Sequence, residues 1–210
     1  ARMSKEYDVY TFAFDWRQSV REEGKRLTQL VDSLLKKVKD HRIDFAAHSM
    51  GGLVVREVMA NKPTWKKLQE REHFRCIFFG SPLGGSYLIP EVLVGVGKRI
   101  KQMAFLDVSS SPGELLKIFS TYTGLLELLP LQDVDNFGVL APWQRMKKLW
   151  SKKVWHMPTN EAIRNFKNYK AHVHKLGAEI YAGEEVIYVA GKADSTVDGM
   201  RKLARRSPGK

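Results

Sequence analysis

Ser49 stands in the run Ile43-Asp44-Phe45-Ala46-Ala47-His48-Ser49-Met50-Gly51-Gly52-Leu53-Val54, where an apolar strand leads straight into a serine and an apolar helix begins at once. This is the pattern of a nucleophile elbow, in which a serine on a tight, strained strand-to-helix turn has its Oγ aimed outward. Such a turn needs small residues two positions away. Ala47 and Gly51 meet that demand, with alanine adding one methyl where glycine is usual. At a helix N-terminus the free N–H groups and the dipole favour negative charge. The backbone N–H of Met50 would then supply half of an oxyanion hole. A small-x-Ser-x-Gly pentapeptide also arises by chance in β–α turns, and the strand before it and helix after it are what favour the elbow.

Few other residues invite chemistry. Cys76, the one cysteine, lies in the apolar stretch Phe74–Phe79 and reads as a buried, inert thiol, so no disulfide can form within the chain. His48 adjoins Ser49, but its side chain points to the opposite side of the strand, which suggests packing beneath the elbow rather than base catalysis. His172-x-His174 could set two imidazoles on one strand face, as zinc ligands sometimes sit. No third ligand lies nearby in sequence, so no metal and no other cofactor is assigned.

The elements that must position Ser49 follow from periodicity. Tyr7–Phe14 is rich in aromatic and β-branched residues and reads as a strand, closed by Asp15-Trp16-Arg17. An amphipathic helix is expected from about Ser19 to Lys39, with Val20, Leu27, Leu30, Val31, Leu34, Leu35 and Val38 on one side. His41–His48 is the next strand, Gly51–Ala60 the helix behind the elbow, and Phe74–Phe79, apolar but for Arg75, a strand of the kind buried in parallel sheets. This is βαβαβ, an α/β core with right-handed crossovers. After the turn cluster Ser81–Ser86, about a hundred residues pass before the next clear strand, Val186–Ala190. A gap that long reads as an inserted, largely helical cap. One domain over residues 1–210 is expected, with its core in 7–80 and 184–200 and the cap at about 86–180. Leu115–Phe119 and Leu125–Leu131 are the cap's most apolar parts. They read either as its own core or as an inner wall for a hydrocarbon chain.

Composition narrows the class. The chain has 210 residues, 43% of them hydrophobic, which suits one sizeable core. No run of 18 uncharged apolar residues occurs, so no membrane-spanning segment is expected. No apolar leader follows the charged N-terminus, and a segment processed away before Ala1 stays open. The single cysteine suggests a reducing, cytoplasmic setting, and the basic charge a peripheral attachment to membranes. The net charge of +12 is uneven: Arg145–Lys175 holds nine Lys and Arg against one acid, Glu161, and Arg201–Lys210 holds five bases and no acid. The segment and the tail are either plain solvated faces or a surface for an anionic partner, lipid headgroups before nucleic acid. No zinc, RNP or helix-turn-helix pattern supports nucleic acid.

Four segments, in order, give the chain a resemblance. Phe14-Asp15-Trp16-Arg17 resembles a Tyr-Asp-Trp-Arg segment, and His48-Ser49-Met50-Gly51-Gly52 a nucleophile motif. Trp65 with the Cys76 strand and Gly80-Ser81-Pro82-Leu83-Gly84-Gly85-Ser86 resembles the next strand and loop, and Gly124–Pro130 a Leu-Leu-Pro cap signature. Together they are similar to the lecithin:cholesterol acyltransferase-like branch of the α/β-hydrolases, over about Tyr7 to Pro130. The resemblance implies serine esterases that form an acyl-enzyme from a phospholipid or related ester and pass the acyl group to an alcohol or to water. It also implies a mostly parallel sheet of about eight strands, of which four are read here, so an incomplete sheet cut at both ends is expected. The resemblance places the oxyanion-loop glycines on a strand before Tyr7, and with only six residues ahead of Tyr7 the second donor is expected to be missing from these 210 residues. Triad order in this fold is serine, acid, histidine. Asp194, just past the tip of the Val186–Ala190 strand, is then either the triad acid or a strand-end turn residue, with the acid further downstream. No histidine follows Asp194; His156, His172 and His174 all precede it, so the base is not identified.

Two functions are consistent with these residues. One is a serine-dependent lipid esterase or O-acyltransferase acting through Ser49, with little activity expected from the 210 residues alone. The alternative is a hydrolase-fold binding or scaffold protein without catalysis, recruiting acidic partners through its basic segment.

Overall fold

Three short strands form the centre of the computed structural model, which describes residues 7–38, 41–93, 111–132 and 160–194. They are β1 (Phe45–His48), β2 (Cys76–Phe79) and β3 (Val186–Val189). All pair in parallel in the order β1-β2-β3, with Phe45 opposite Cys76 and Cys76 opposite Val186. The architecture is α/β with an open parallel sheet, as the strand–helix alternation predicts. Helix α1 (Val20–Lys37) begins at the N-cap Ser19, carries Glu22 and Glu23 in its first turn and Lys36 and Lys37 in its last, and so complements its own dipole at both ends. Helices α2 (Gly51–Ala60) and α3 (Lys62–Gln69) carry the chain from β1 to β2.

One face of the sheet is covered. Ala47, Cys76 and Phe78 are buried there, and Phe45 packs with Trp65 of α3 and with Phe74, ring centroids 6.4 and 6.2 Å apart. The other face, carried by alternate residues of each strand, is open: Phe79 is 40%, Ile187 40% and Val189 45% exposed.

Tyr7–Phe14 departs from expectation. It joins no sheet among the described residues and lies along α1, with Arg26 over the Phe12 ring at 5.5 Å and Lys37 over the Tyr10 ring at 6.0 Å. Tyr7, Val9 and Tyr10 are exposed. β-propensity measures fit to a pleated, half-buried surface, and this segment finds a helix instead of a partner strand.

Beyond β2 come α4 (Leu88–Leu93), α5 (Pro112–Phe119), α6 (Thr123–Glu127) and α7 (Asn160–Leu176), then a 3-10 turn at Glu179–Tyr181. Ser111 and Glu114 form a capping box on α5. The described leucines of this region build no separate core. Leu115, Leu116, Leu125, Leu126, Leu129 and Leu131 belong to the same buried cluster as Leu53, Val54 and Val58 of α2. Helix α7 covers part of the basic segment, while residues 145–159, with His156, and the tail 201–210 lie outside the described residues.

Candidate active site

The end of β1 and the start of α2 are joined by only two residues, Ser49 and Met50. Ser49 has φ 51, in the left-handed region that a side chain enters at a cost. The turn is held in place because the Ser49 N–H donates to Phe79 O at 3.0 Å, continuing the β1–β2 ladder, and Ser49 O accepts from Gly52 N at 3.1 Å. Ser49 is exposed, and its hydroxyl makes no hydrogen bond with any described residue. Met50 is helical, φ −59 and ψ −24, and caps α2 without using its side chain. Its amide belongs to the orphan N–H set of a helix N-terminus. A strained serine with a free hydroxyl beside unspent amides is suited to attack an acyl carbon and to hold the charge that develops on oxygen.

The tight position is not the one anticipated. A Cβ at Gly51 would meet only the Phe14 ring edge, at 3.8 Å, an ordinary contact. At Gly52 it would collide with the side chain of Ser81, with Phe78 also in reach at 2.9 Å. Helix α2 therefore starts so close to the loop after β2 that only glycine fits at Gly52. Ser81 is buried there, its own carbonyl accepting the Tyr188 hydroxyl at 2.6 Å.

Asp194 follows β3 by five residues, is exposed, and makes no hydrogen bond or ion pair among the described residues. The histidines are placed differently from expectation. His48 is on the open face of the sheet and is exposed, so it does not pack beneath the elbow. His172 and His174 lie on helix α7, where residues two apart do not share a face as they would in a strand. His172 Nε2 bonds Glu57 Oε2 at 2.8 Å, and His174 Nε2 bonds Leu131 O at 3.2 Å. Glu57 sits eight residues along α2 from Ser49, roughly 12 Å at the helical rise, so His172 is held about two turns from the serine. Among the described residues no three His, Cys, Asp or Glu side chains converge as a metal site.

A second group of polar residues surrounds the elbow helix, and sequence reading passed over it. Arg56 of α2 is 1% exposed and donates to Leu83 O at 2.8 Å and to the Tyr169 hydroxyl on α7. Burial works against its charge, but Tyr169, Tyr181 and Glu57 leave the guanidinium above its ordinary range. Burial raises the Tyr169 hydroxyl as well, against the pull of Arg56. Gly24 of α1 lies so close to the Glu57 side chain that a Cβ there would overlap it. Glu127, at the end of α6, is 2% exposed and accepts from the Ser19 hydroxyl and from Val20 N. A charged pair in the otherwise apolar Leu53–Ala60 and a lone carboxylate among the leucines of 125–131 were the available signals.

The family model of lecithin:cholesterol acyltransferase matches residues 3–203. The chain belongs to the lecithin:cholesterol acyltransferase family. No curated protein matches it. Among solved structures it resembles the crystal structure of the Tle4-Tli4 complex, at 16% sequence identity and a TM-score of 0.45, covering 82% of this chain and 42% of that one. The chain thus spans less than half the length of that neighbour. Within the lecithin:cholesterol acyltransferase family, the parallel order β1-β2-β3 and the elbow at Ser49 are those of an α/β-hydrolase-type fold. No described helix is long and apolar enough to cross a membrane.

Proposed function

We propose that this chain carries the nucleophile of a lipid esterase or O-acyltransferase, and that the nucleophile is Ser49. The observation that supports it is the φ of 51 at a non-glycine residue whose hydroxyl is exposed and unbonded. Strain of this kind persists only where the surroundings impose it, and it gathers at reactive sites. In the proposed reaction a histidine base takes the Ser49 proton and Oγ bonds the ester carbonyl carbon. The oxyanion rests on the Met50 amide and a second donor, and the alkoxide leaves with the proton. An alcohol or water then attacks the acyl-serine carbonyl, its own proton passing through the histidine to Oγ as the acyl–Oγ bond breaks and the new ester or acid leaves. Asp194 is proposed as the acid that orients the base, since it follows the tip of a strand in the same sheet as the elbow.

The acyl donor is proposed to be a lipid ester met at an anionic surface, the surplus of bases in Arg145–Lys175 providing the attraction. The test is active-site labelling of the natural, full-length protein. A fluorophosphonate probe should modify Ser49, and Ser49→Ala should abolish labelling together with ester turnover. Turnover undiminished in Ser49→Ala would overturn the reading.

A further inference from the structure

We infer that Glu127 is a proton-operated catch that seats α6 against the start of α1 and the elbow when protonated and loosens that contact when ionised. The inference does not depend on the chemistry assigned to Ser49.

Three observations carry it. Glu127 is buried, yet its partners are neutral: Oε1 takes the Ser19 hydroxyl at 3.1 Å and Oε2 takes Val20 N at 2.6 Å. No Lys or Arg pairs with it among the described residues. A buried carboxylate without a cation is costly, and the group protonates to avoid the cost. A hydroxyl can also accept, so Ser19 can receive a bond from the neutral acid while Val20 N keeps its own.

The bonds from Val20 N and the Ser19 hydroxyl favour the carboxylate but do not outweigh burial, and the ionisable groups nearby give it little help. From α1, Arg21 favours it weakly; from α2, Glu57 opposes it; on α7, Tyr169 lies close enough to feel it. Burial is the largest effect and pushes the carboxyl up to about 7.

The segment that Glu127 holds touches the elbow directly. Gly124, in the same short helix, is pressed against the carbonyls of Trp16 and Gln18 so closely that no side chain would fit, and a Cβ there would lie 2.9 Å from Met50 Cε. Its N–H donates to Arg17 O at 3.1 Å. Release of Glu127 would therefore slacken the packing around Met50, whose amide stands beside Ser49.

The direction with pH follows from linkage. Below the ordinary carboxyl range both the seated and the released forms carry the proton, and seating is full. As pH rises toward 7 only the released form ionises, so seating weakens. Above about 7 both forms are ionised and the loss stops. Between pH 5 and 8 the equilibrium for opening should rise roughly seventy-fold.

Amide hydrogen exchange of the 210-residue chain, corrected for the intrinsic pH dependence of exchange, tests this. The amides of Gly124–Leu129 should lose protection by about that factor between pH 5 and 8, while those of β1 and β2 hold theirs. In Glu127→Gln the pH dependence should vanish. Protection that stays level in the wild type, or falls equally in Glu127→Gln, overturns the catch. Should Glu127→Gln fail to fold, carboxyl NMR of the wild type labelled at glutamate decides. A resonance titrating near 7 supports the catch, and its absence overturns it.

Discussion

Gly52 and Ser81 occupy the same few ångströms of space: the first turn of α2 runs against the Ser81 side chain, and a single methyl on Gly52 would overlap it. The contact ties the helix behind Ser49 to the loop after β2, so the elbow has a wall on one side that cannot retreat without moving Tyr188, whose hydroxyl donates to Ser81 O. Gly52→Ala should therefore cost about 1–3 kcal/mol in urea denaturation, the range for overpacking a filled core. Gly51→Ala, which meets only the edge of Phe14, should cost nothing measurable. Equal effects of the two would mean that the wall is soft.

Ser49→Gly should stabilise the chain by about 1 kcal/mol, because glycine enters the left-handed region that serine occupies at φ 51 without the Cβ penalty. The same variant should not be labelled by a fluorophosphonate. Stability gained as labelling is lost would locate the strain at Ser49, whereas a drop in stability would show that the serine side chain contributes to folding.

Arg56 should be the most sensitive polar position. Arg56→Met removes the donor to Leu83 O and to Tyr169, and loss of a buried charge with its bonds typically costs about 3–5 kcal/mol. Tyr169→Phe removes one bond and should cost about 1–2 kcal/mol. In the double variant the two losses should fall short of additive by at least about 0.5 kcal/mol, since both remove the same bond. A double-mutant cycle by chemical denaturation reads this directly.

Lys147, Lys148, Lys152 and Lys153 supply much of the basic segment's charge and lie outside the described residues. Replacing all four by Gln should weaken binding to anionic vesicles by up to about 1 kcal/mol for each lysine near the surface, with a shallower salt dependence. Vesicle co-sedimentation at two ionic strengths measures it. Tighter binding to DNA than to anionic vesicles would point to a different partner.

How far the sequence led can be judged from particular residues. The elbow was legible because its signals are local: a short apolar strand, small residues around a serine, and an apolar helix. Ser19 was legible as the start of α1 for the same reason. Tyr7–Phe14 was misread, since a strand needs a partner and composition alone does not say whether one is available. For His48 strand alternation alone implies packing beneath the elbow, but the face it lies on is open and the side chain is exposed. His172 and His174 were read at a period of two, although Ala162, Phe166 and Tyr169, which α7 buries, recur at helical spacing. The network of Arg56, Glu57 and Glu127 depends on helices far apart in sequence, and only tertiary packing reveals its partners.

Cys76 has a practical consequence. Its sulfur is fully buried at the start of β2, the middle strand of the sheet, and burial pushes the thiol up to about 12, so the reactive thiolate is scarce in the native chain. As the chain's one cysteine, it makes alkylation a clock for the opening of the central strand, without any engineered label. At high reagent concentration the labelling rate becomes the opening rate itself. The same silence leaves the surface free for a reporter thiol placed wherever one is wanted, with no competition from within until the sheet comes apart.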